Sequence, residues 1–237
     1  MKLSIVTPVL NGDRFIRKNI ESIMALKHPH EHIIVDGGST DQTLQILKEY
    51  PHLKVLNQTE QNGMYGAIIQ GFEASTGDII TWINCDDYIL TRPYDNMIDY
   101  MLSKNADFCY SNAIFDYIEE NRTEVIRSSC FPKYLLKHGI LPFVQPSSLY
   151  KRIFYKRLGG LNPRYRITGD MDMFHRMGLD NDAKFVRYPH ETVGFLKYGE
   201  SLGDRNVEKS HLENKEAGIP QTTLFSRIIF YIFRNLV

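Results

Sequence analysis

Two adjacent acids, Asp86 and Asp87, are the residues of this chain best suited by type and spacing to do chemistry. They end the segment GDIITWINCDD, in which 79–83 is a short run of β-branched and aromatic residues, typical of a buried strand. Neighbouring carboxylates repel each other and lose hydration when buried, so the pair needs a cation, hydrogen-bond donors or open solvent. A hard divalent ion such as Mg²⁺ or Mn²⁺ prefers oxygen ligands and commonly joins one or two carboxylates to substrate phosphates. The alternative is a solvated turn in which one Asp caps the next helix.

The elements that must position these acids alternate between strand and helix. Strands are predicted at 3–7, 32–36, 53–56 and 79–83, and helices at 13–26, 42–50 and 62–72. Such alternation indicates βαβ units, and therefore an α/β fold with a mainly parallel sheet and helices on both faces. Ligands of these sheets bind beyond the carboxyl ends of the strands. The turn at 8–11, Asp36 and the acidic pair all fall at such ends, which favours a functional site over a helix cap.

Length, composition and charge limit the possible classes of protein. The 237 residues, 43% hydrophobic and 24% charged, are ordinary for a globular α/β chain. With 28 basic and 28 acidic residues there is no global field to attract nucleic acid, and we expect no nucleic-acid partner. Three cysteines without a CxxC spacing argue against disulfides or a zinc site and suit a reducing compartment. No secretory signal or membrane span leads the chain, so we expect a cytoplasmic protein.

Two common nucleotide-binding classes are disfavoured by missing motifs. The first turn, PVLNGD, has one glycine and no GxGxxG, and GxxxxGK[ST] does not occur in the chain. Neither a Rossmann dehydrogenase nor a P-loop NTPase is therefore favoured.

Several motifs together carry a resemblance to a known family. They are TPVLNG, VDGGSTDQT, EQNGMYGAIIQGFEASTGDIITWINCDD, QPSSLYKRIFYKRLGGLNPRY and TGDMDMFHRM, in that order between about Leu3 and Gly199. In content and order the chain resembles the family 2 glycosyltransferases. The resemblance implies the GT-A fold, with a small antiparallel insertion on the acceptor side, and a nucleotide-sugar donor, with a preference for UDP.

The resemblance also implies roles for individual residues. Asp170 matches the general base, and Asp86 with Asp87 match the acids that hold a divalent cation, Mn²⁺ or Mg²⁺, on the diphosphate. Asp36 matches the acid that accepts a hydrogen bond from the base of the nucleotide. The full set of predicted nucleotide-sugar contacts is Thr7, Pro8, Val9, Leu10, Asp36, Asn62, Gly63 and Asp86.

Three positions depart from the family pattern. Asn84 stands where many relatives have the first Asp of the metal motif, which leaves the metal to Asp86 and Asp87. Gly66 replaces an Asp that is frequent after the tyrosine, and His175 replaces a common Leu. Because of Gly66 and His175, the family pattern does not assign the residues on the acceptor side.

The chemistry of sugar transfer needs both kinds of acid. A divalent ion stabilises the negative charge that develops on the leaving phosphate, and a carboxylate takes the proton of the acceptor hydroxyl. One base suffices when the acceptor attacks the anomeric carbon directly, and the configuration then inverts. We expect an inverting transferase acting on a saccharide or lipid-linked saccharide in surface polysaccharide assembly. The alternatives are a non-catalytic nucleotide-sugar-binding relative and a nucleotidyltransferase, although PVLNGD lacks the Gly- and Arg/Lys-rich loop of the latter.

The rest of the chain is predicted as the acceptor half of a single domain. The domain spans 1–220, with a donor half at about 1–105 and an acceptor half at about 106–220. An antiparallel hairpin is predicted at 113–118 and 123–127, a strand at 145–150, a short helix at 152–158 and a helix at 169–177.

Three further features are harder to interpret. The HPHEH run at 28–32 is predicted as solvated surface rather than as a metal site. Residues 198–205 fit a mobile lid over the donor. The tail, 221–237, is densely apolar, with Arg227 and Arg234 on one helix face. It fits either an interfacial helix at the inner face of a membrane or a helix that packs on this domain or on a second subunit.

Overall fold

The computed structural model of the chain describes residues 1–59, 63–198 and 206–220. The strands in these ranges are β1 (Leu3–Val9), β2 (His30–Asp36), β3 (Lys54–Asn57), β4 (Ile79–Trp82), β5 (Tyr88–Ile89), β6 (Phe108–Tyr117), β7 (Arg122–Ile126), β8 (Ser148–Lys151) and β9 (Phe185–Lys197). The helices are α1 (Ile16–Met24), α2 (Thr43–Leu47), α3 (Gly63–Glu73), α4 (Thr91–Ser103), α5 (Pro132–Lys137), α6 (Arg152–Arg157), α7 (Gly169–Leu179) and α8 (Val207–Glu216), with a 3₁₀ turn at Gln145–Ser147.

One sheet organises the described residues, in the strand order β3-β2-β1-β4-β8-β6-β9-β5, with β7 paired to β6. The first four strands of this order are parallel, and the register between β1 and β2 ends with Val9 opposite Asp36. The carboxyl ends of β1, β2 and β4 therefore meet at one edge, as the α/β prediction requires.

The second half of the chain completes the same sheet. β8 is antiparallel to both β4 and β6, whereas β9 is parallel to β6 along its whole length. The register of β6 and β9 shifts around Asn112, which marks a bulge. The predicted hairpin is confirmed as β6 and β7, but β6 is a central strand of the sheet and not part of an appended insertion.

Helices cover both faces of the sheet because side chains of successive strand residues point to opposite sides. On β1, Leu3 and Ile5 belong to the apolar cluster that includes helix α4, whereas Val6 belongs to the cluster that includes α3 and α7. Val9 joins a smaller cluster with residues of α1 and α2. The α/β fold with helices on both faces is confirmed.

An aromatic core lies beneath the carboxyl end of β4. Trp82 is 1% exposed and its ring stacks on Phe174 of α7, with centroids 6.3 Å apart and planes 14° apart. Phe72 of α3 meets the edge of Trp82, with centroids 6.2 Å apart. This packing fixes α7 and α3 relative to the strand that ends in the acidic pair.

Two predicted elements have different bounds in the structure. The strand predicted at 145–150 begins only at Ser148, because the hydroxyls of Ser147 and Ser148 bond to the carbonyls of Val144 and Gln145 and close a turn. The helix predicted at 42–50 is regular only over Thr43–Leu47, since it tightens into i→i−3 bonds before Pro51.

Strand β9 was not predicted from the sequence. It is interrupted by Pro189 and the bulge, so no clean alternation of polar and apolar residues marks it. Most of the predicted lid, 199–205, and the whole predicted C-terminal helix, 221–237, lie outside the described residues. No helix among the described residues is both long and apolar enough to cross a membrane.

Close packing of α3 on β1 gives a stability prediction. A Cβ on Gly71 would overlap the side chain of Val6 and would lie 3.2 Å from Cγ2 of Val35, and both valines are fully buried. We expect Gly71→Ala to lower the free energy of unfolding by about 1–2 kcal/mol in urea titrations, despite the better helix propensity of Ala. Glu73→Ala, at an exposed position of the same helix, is the control and should change it by less than about 0.5 kcal/mol. Unchanged or raised stability of Gly71→Ala would contradict this account.

Candidate functional site

Asp36, at the carboxyl end of β2, shapes the turn that follows it. Its carboxylate accepts hydrogen bonds from the amides of Gly38, at 2.9 Å, and Ser39, at 3.0 Å. The side chain is only 3% exposed, and Gly38 has φ +96°, which favours glycine. Asp36 is therefore held in one orientation at the edge of the sheet.

The turn after β1 is tied to the turn after β2. Asn11 accepts from the Thr40 amide at 2.8 Å, and the Gly12 amide donates to the Thr43 hydroxyl at 2.8 Å. Asn11 has φ +52°, a conformation that Asn tolerates better than most residues. The two predicted nucleotide-binding turns thus form one connected surface.

The loop after β4 is anchored by a buried amide on α1. Asn19 is fully buried, and its Nδ2 donates to the backbone carbonyls of Asn84, at 3.0 Å, and Asp87, at 2.9 Å. A Cβ on Gly12 would lie 3.2 Å from the Sγ of Cys85, so the loop also touches the turn after β1. The acids of β4 and the turns of β1 and β2 are therefore brought together.

The two acids of the β4 loop have different surroundings. Asp87 is 2% exposed, and its Oδ1 accepts from the Leu196 amide of β9 at 3.3 Å. Burial, and after it the charge of Asp86, raises the pKa of the Asp87 carboxyl well above its ordinary value. Asp86 is partly exposed, and its Oδ2 accepts from the Tyr198 hydroxyl at 2.8 Å.

Tyr198 closes one side of this loop. Its ring packs on Phe15 at the start of α1, with centroids 4.7 Å apart. Burial, and then the hydrogen bond to Asp86, raises the pKa of the phenol, so the hydroxyl stays a donor at neutral pH. Tyr198 therefore orients the more exposed acid.

The donor set of this loop fits a divalent cation. Among the described residues, the buried Oδ2 of Asp87 and Oδ1 of Asn84 have no hydrogen-bond partner, and such oxygens are the ligands that Mg²⁺ and Mn²⁺ prefer. No cluster of three or more His, Cys, Asp or Glu in the same ranges forms a complete protein cage. A cation held by one or two carboxylates would share its remaining positions with phosphate oxygens and water.

Asp170 lies in the first turn of α7 and is held by a tyrosine of α3. Its Oδ1 accepts from the Tyr65 hydroxyl at 2.8 Å and from the amide of Met171 at 2.8 Å. Burial raises the pKa of the Asp170 carboxyl, and the bond from Tyr65 opposes part of that rise. Gly169 permits this contact, because a Cβ there would lie 2.9 Å from the Tyr65 ring.

Asp172, two residues further on, faces elsewhere. Successive helical positions differ by about 100°, so the two side chains point about 200° apart. The carboxylate of Asp172 pairs with Arg176 at 2.6 Å, and that guanidinium also donates to the carbonyls of Leu158 and Gly160. Asp172 is therefore part of the packing between α7 and the loop after α6.

A comparison with protein families matches the description "Glycosyl transferase family 2" over residues 4–168, more than half of the chain. The chain belongs to this family. The predicted resemblance is thereby confirmed, and the match covers the elements from β1 to the residue before α7.

Two curated relatives are similar in sequence to this glycosyltransferase, one over nearly the whole chain and one over about half of it. A Mycobacterium tuberculosis protein named PGL/p-HBAD biosynthesis glycosyltransferase is 25% identical over 242 residues, covering 98% of this chain and 90% of its own length. A Bacillus subtilis protein named putative teichuronic acid biosynthesis glycosyltransferase TuaG is 27% identical over 114 residues, covering 46% of this chain and 45% of its own length.

Solved structures confirm the GT-A architecture. S. aureus TarS 1-349 in complex with UDP-GlcNAc superposes with a TM-score of 0.68 at 17% identity, covering 99% of this chain and 72% of that chain. The mannosyltransferase PcManGT from Pyrobaculum calidifontis in complex with GDP-Man and Mn²⁺ gives a TM-score of 0.65 at 16% identity, covering 99% of this chain and 70% of that chain.

The residues predicted to contact the nucleotide sugar occupy different depths in this glycosyltransferase. Leu10 is 60% exposed and Gly63 is exposed at the start of α3 with φ +65°. Pro8 and Val9 are buried in β1, where the carbonyl of Val9 accepts from the Gly37 amide at 2.8 Å. Asn62 lies outside the described residues.

Thr7 lies beneath the site and not at its surface. It is fully buried, and its hydroxyl lies 2.9 Å from Nε2 of His32 and 3.3 Å from Oδ1 of Asn19. Because Asn19 in turn holds the β4 loop, Thr7 supports the acids from below. The structure gives its side chain no exposed surface for a direct ligand contact.

The histidine run at 28–32 is only in part the solvated surface that was predicted. His28 lies at the surface, but His32 is 2% exposed on β2, because strand alternation turns it into the core beside Thr7. Burial, and then the charges of His52 and His30, lowers the pKa of His32 to about 3. The prediction for His32 was wrong.

Tyr65 and Tyr198 were missed as supports of the site. Tyr65 stands in the EQNGMYG stretch, but nothing local pairs it with Asp170, which lies 105 positions away. Tyr198 was seen only as the start of a lid, although it contacts Asp86 across 112 positions. Both contacts depend on the folded topology.

Burial of neutral His32 predicts a pH effect on stability. Its pKa is lower in the native state, at about 3, than the ordinary histidine value of 6.5, so only the unfolded chain gains a proton as pH falls below 6.5. We expect this residue to remove about 1.5 kcal/mol of stability between pH 6.5 and pH 5. Urea titrations of His32→Gln should show a correspondingly flatter pH dependence. His190→Asn, at an exposed position, is the control, and an equal slope in His32→Gln and wild type would contradict the interpretation.

Proposed function

We propose that this family member is an inverting, divalent-metal-dependent glycosyltransferase. In this proposal it moves a sugar from a nucleotide sugar, by preference a UDP-sugar, to a saccharide or lipid-linked saccharide acceptor in the assembly of a cell-surface polysaccharide. Family membership supports sugar transfer, and the geometry around Asp170 supports the choice of base.

The observation that carries the proposal is the separation of roles on the first turn of α7. Asp172 forms an ion pair with Arg176, whereas Asp170 accepts hydrogen bonds from a neutral tyrosine hydroxyl and a backbone amide. A carboxylate whose pKa is raised by burial is a better proton acceptor than an ordinary surface Asp. One such base is what a direct displacement requires.

In the proposed reaction the oxygen of the acceptor hydroxyl attacks the anomeric carbon from the face opposite the nucleotide. The bond between that carbon and the diphosphate oxygen breaks, and its electron pair leaves with the nucleoside diphosphate. The hydroxyl proton passes to the carboxylate of Asp170. Since the attacking and leaving groups lie on opposite faces, the configuration at the anomeric carbon inverts.

The donor side uses the edge formed by β1, β2 and β4. Asp86, which accepts a hydrogen bond from Tyr198, would face the diphosphate, and the buried Asp87 would be a second ligand of a divalent ion. A bound divalent cation would act there as a Lewis acid for the departing phosphate. Asp36 would accept from the base of the nucleotide, beside the exposed Leu10.

Three similar proteins support the choice of donor and pathway, although the two solved structures contain different nucleotide bases. TarS was solved with UDP-GlcNAc and PcManGT with GDP-Man and Mn²⁺, so both a uracil and a guanine nucleotide must be tested. The name of the Bacillus subtilis relative, for teichuronic acid biosynthesis, supports a role in polymer assembly.

The two alternatives make different predictions. A non-catalytic relative would bind the nucleotide sugar without turnover. A nucleotidyltransferase needs a loop after β1 whose amides face phosphate, but here Asn11 and the Gly12 amide are used to hold the turn after β2. That contact favours the glycosyltransferase.

A ligand panel tests the donor and the metal. The panel contains UDP-GlcNAc, UDP-glucose, UDP-galactose and, for comparison, GDP-mannose. We expect one of the UDP-sugars to raise the melting temperature of the protein, because a ligand that binds only the native state stabilises it. Mn²⁺ should increase that rise. Asp86→Asn should remove the Mn²⁺-dependent part and most of the turnover, whereas Asp99→Asn, exposed on α4, should not. No shift with any sugar nucleotide, or full turnover in EDTA, would contradict the proposal.

Substitution at α7 tests the base. Asp170→Asn should keep donor affinity and metal dependence but lower donor turnover by roughly 10²-fold or more, because a positioned proton acceptor is lost. Asp172→Asn breaks the pair with Arg176, so it should lower the melting temperature while each folded molecule keeps most of its turnover. The reverse pattern would assign the base to Asp172, and full activity of both variants would exclude a base on this helix.

A further inference from the structure

The backbone just before α7 is held by a single carboxylate from a distant helix. Glu213 of α8 accepts hydrogen bonds from the amides of Arg166 at 3.0 Å, Ile167 at 2.9 Å and Thr168 at 3.0 Å. It also accepts from the Thr168 hydroxyl at 3.2 Å. These donors come from three consecutive residues, so the carboxylate fixes the path of that segment.

Glu213 is the inward-facing acid of an otherwise exposed helix. It is 7% exposed, whereas Glu208 and Glu216 on the same helix are exposed. Burial alone would raise the pKa of Glu213, but the hydrogen bonds outweigh it and hold that pKa below its ordinary value. The group is therefore a fixed anion at neutral pH, and its role does not depend on titration there.

The segment held by Glu213 leads directly to Asp170. Thr168 is the N-cap residue of α7, and its carbonyl accepts from the Asp172 amide at 2.9 Å to begin the helix. The peptide of Ile167 is held on both sides, since its carbonyl accepts from the Tyr65 hydroxyl at 3.2 Å. The single proton of that hydroxyl is shared between this carbonyl and the nearer Oδ1 of Asp170, at 2.8 Å, so Glu213, Ile167, Tyr65 and Asp170 form one connected set of contacts.

We propose that Glu213 is a positioning residue for Asp170: it holds 166–168 so that the first turn of α7 presents the carboxylate in its working place. The inference deepens the proposed function and rests on Asp170 being the base. Glu213 acts through the loop and through Tyr65, so its loss displaces Asp170 while leaving the donor edge of β1, β2 and β4 intact.

The test uses Glu213→Gln with Glu208→Gln as the matched control on the same helix. A glutamine keeps the length of the side chain, but its NH₂ group faces backbone N–H donors, so part of the set is lost. The assay is release of nucleoside diphosphate from the panel donor that gives the largest thermal shift, with water as acceptor, in the full chain. We expect kcat per folded molecule to fall roughly tenfold to a hundredfold, because small displacements of catalytic groups have effects of this size. The affinity for UDP, measured by calorimetry, should change less than about twofold.

A double substitution separates positioning from general stability. If Glu213 acts through Asp170, Glu213→Gln should have no further effect on turnover in the Asp170→Asn protein, since the base it positions is already gone. Equal losses in both backgrounds would overturn the inference, as would wild-type kcat in Glu213→Gln alone. Full turnover of Asp170→Asn would overturn the proposed base, and with it this role of Glu213.

A second variant and a second readout keep the test decisive if Glu213→Gln folds poorly. Thr168→Val removes only the hydroxyl that donates to Glu213 and nearly keeps the shape of the side chain; it should lower kcat in the same direction at unchanged UDP affinity. Hydrogen exchange followed by mass spectrometry should show faster exchange at 166–170 in both variants, with β1 and β2 unchanged. Unaltered exchange at 166–170 would show that the carboxylate does not hold this segment.

Discussion

A carboxylate that is buried away from water needs hydrogen-bond donors or a cation, and this requirement explains the contacts of every buried acid in the site. Asp36 is held by amides of its own turn, and Asp170 by a hydroxyl from α3 and the amide of the next residue. Glu213 takes the amides of another segment, whereas Asp87 has one amide and one oxygen without a partner among the described residues. Of these four acids, Asp87 has the fewest hydrogen-bond donors, and its unpaired oxygen fits the proposed role of that edge in holding a cation on a diphosphate.

The aromatic core holds α7, which carries Asp170, at a fixed position relative to the loop that carries Asp86. Phe174 lies one helical turn beyond Asp170 and stacks on Trp82, which precedes the loop of Asp86. The proposed base on α7 and the proposed metal-binding loop after β4 would need a fixed spacing for an in-line attack, and a stacked pair of buried rings resists sliding because interiors are close-packed. Polar groups do the chemistry in this arrangement, but apolar packing sets the distance between them.

The sequence predicts the donor half well because its signals are local. Strands β1, β2 and β4 are short apolar runs that end at polar turns, and Asp36 bonds to amides only two and three positions away. Features that depend on long-range packing are harder to predict. In the second half of the chain, the bulge and Pro189 obscure β9. In the first half, burial of His32 and Thr7 depends on which face each strand turns to the core. Tyr65 and Glu213 reach their partners across 105 and 45 positions, so no pattern within either segment could indicate the contact.

The contacts that hold Asp170 come from more widely separated parts of the chain than those that hold Asp36, so substitutions can affect the two differently. At the proposed donor edge, Asp36 is held by amides of its own turn, and the turns after β1 and β2 are held by hydrogen bonds to each other. On the acceptor side, Asp170 depends on α3, on α8 and on the loop between Arg166 and Thr168, each contributed by a separate part of the chain. A shift of any one of them would move Asp170, the proposed base, relative to the proposed donor site. Under the proposed function, acceptor geometry and rate can therefore change through residues that touch no substrate, while the proposed nucleotide site at the β1, β2 and β4 edge is unaffected.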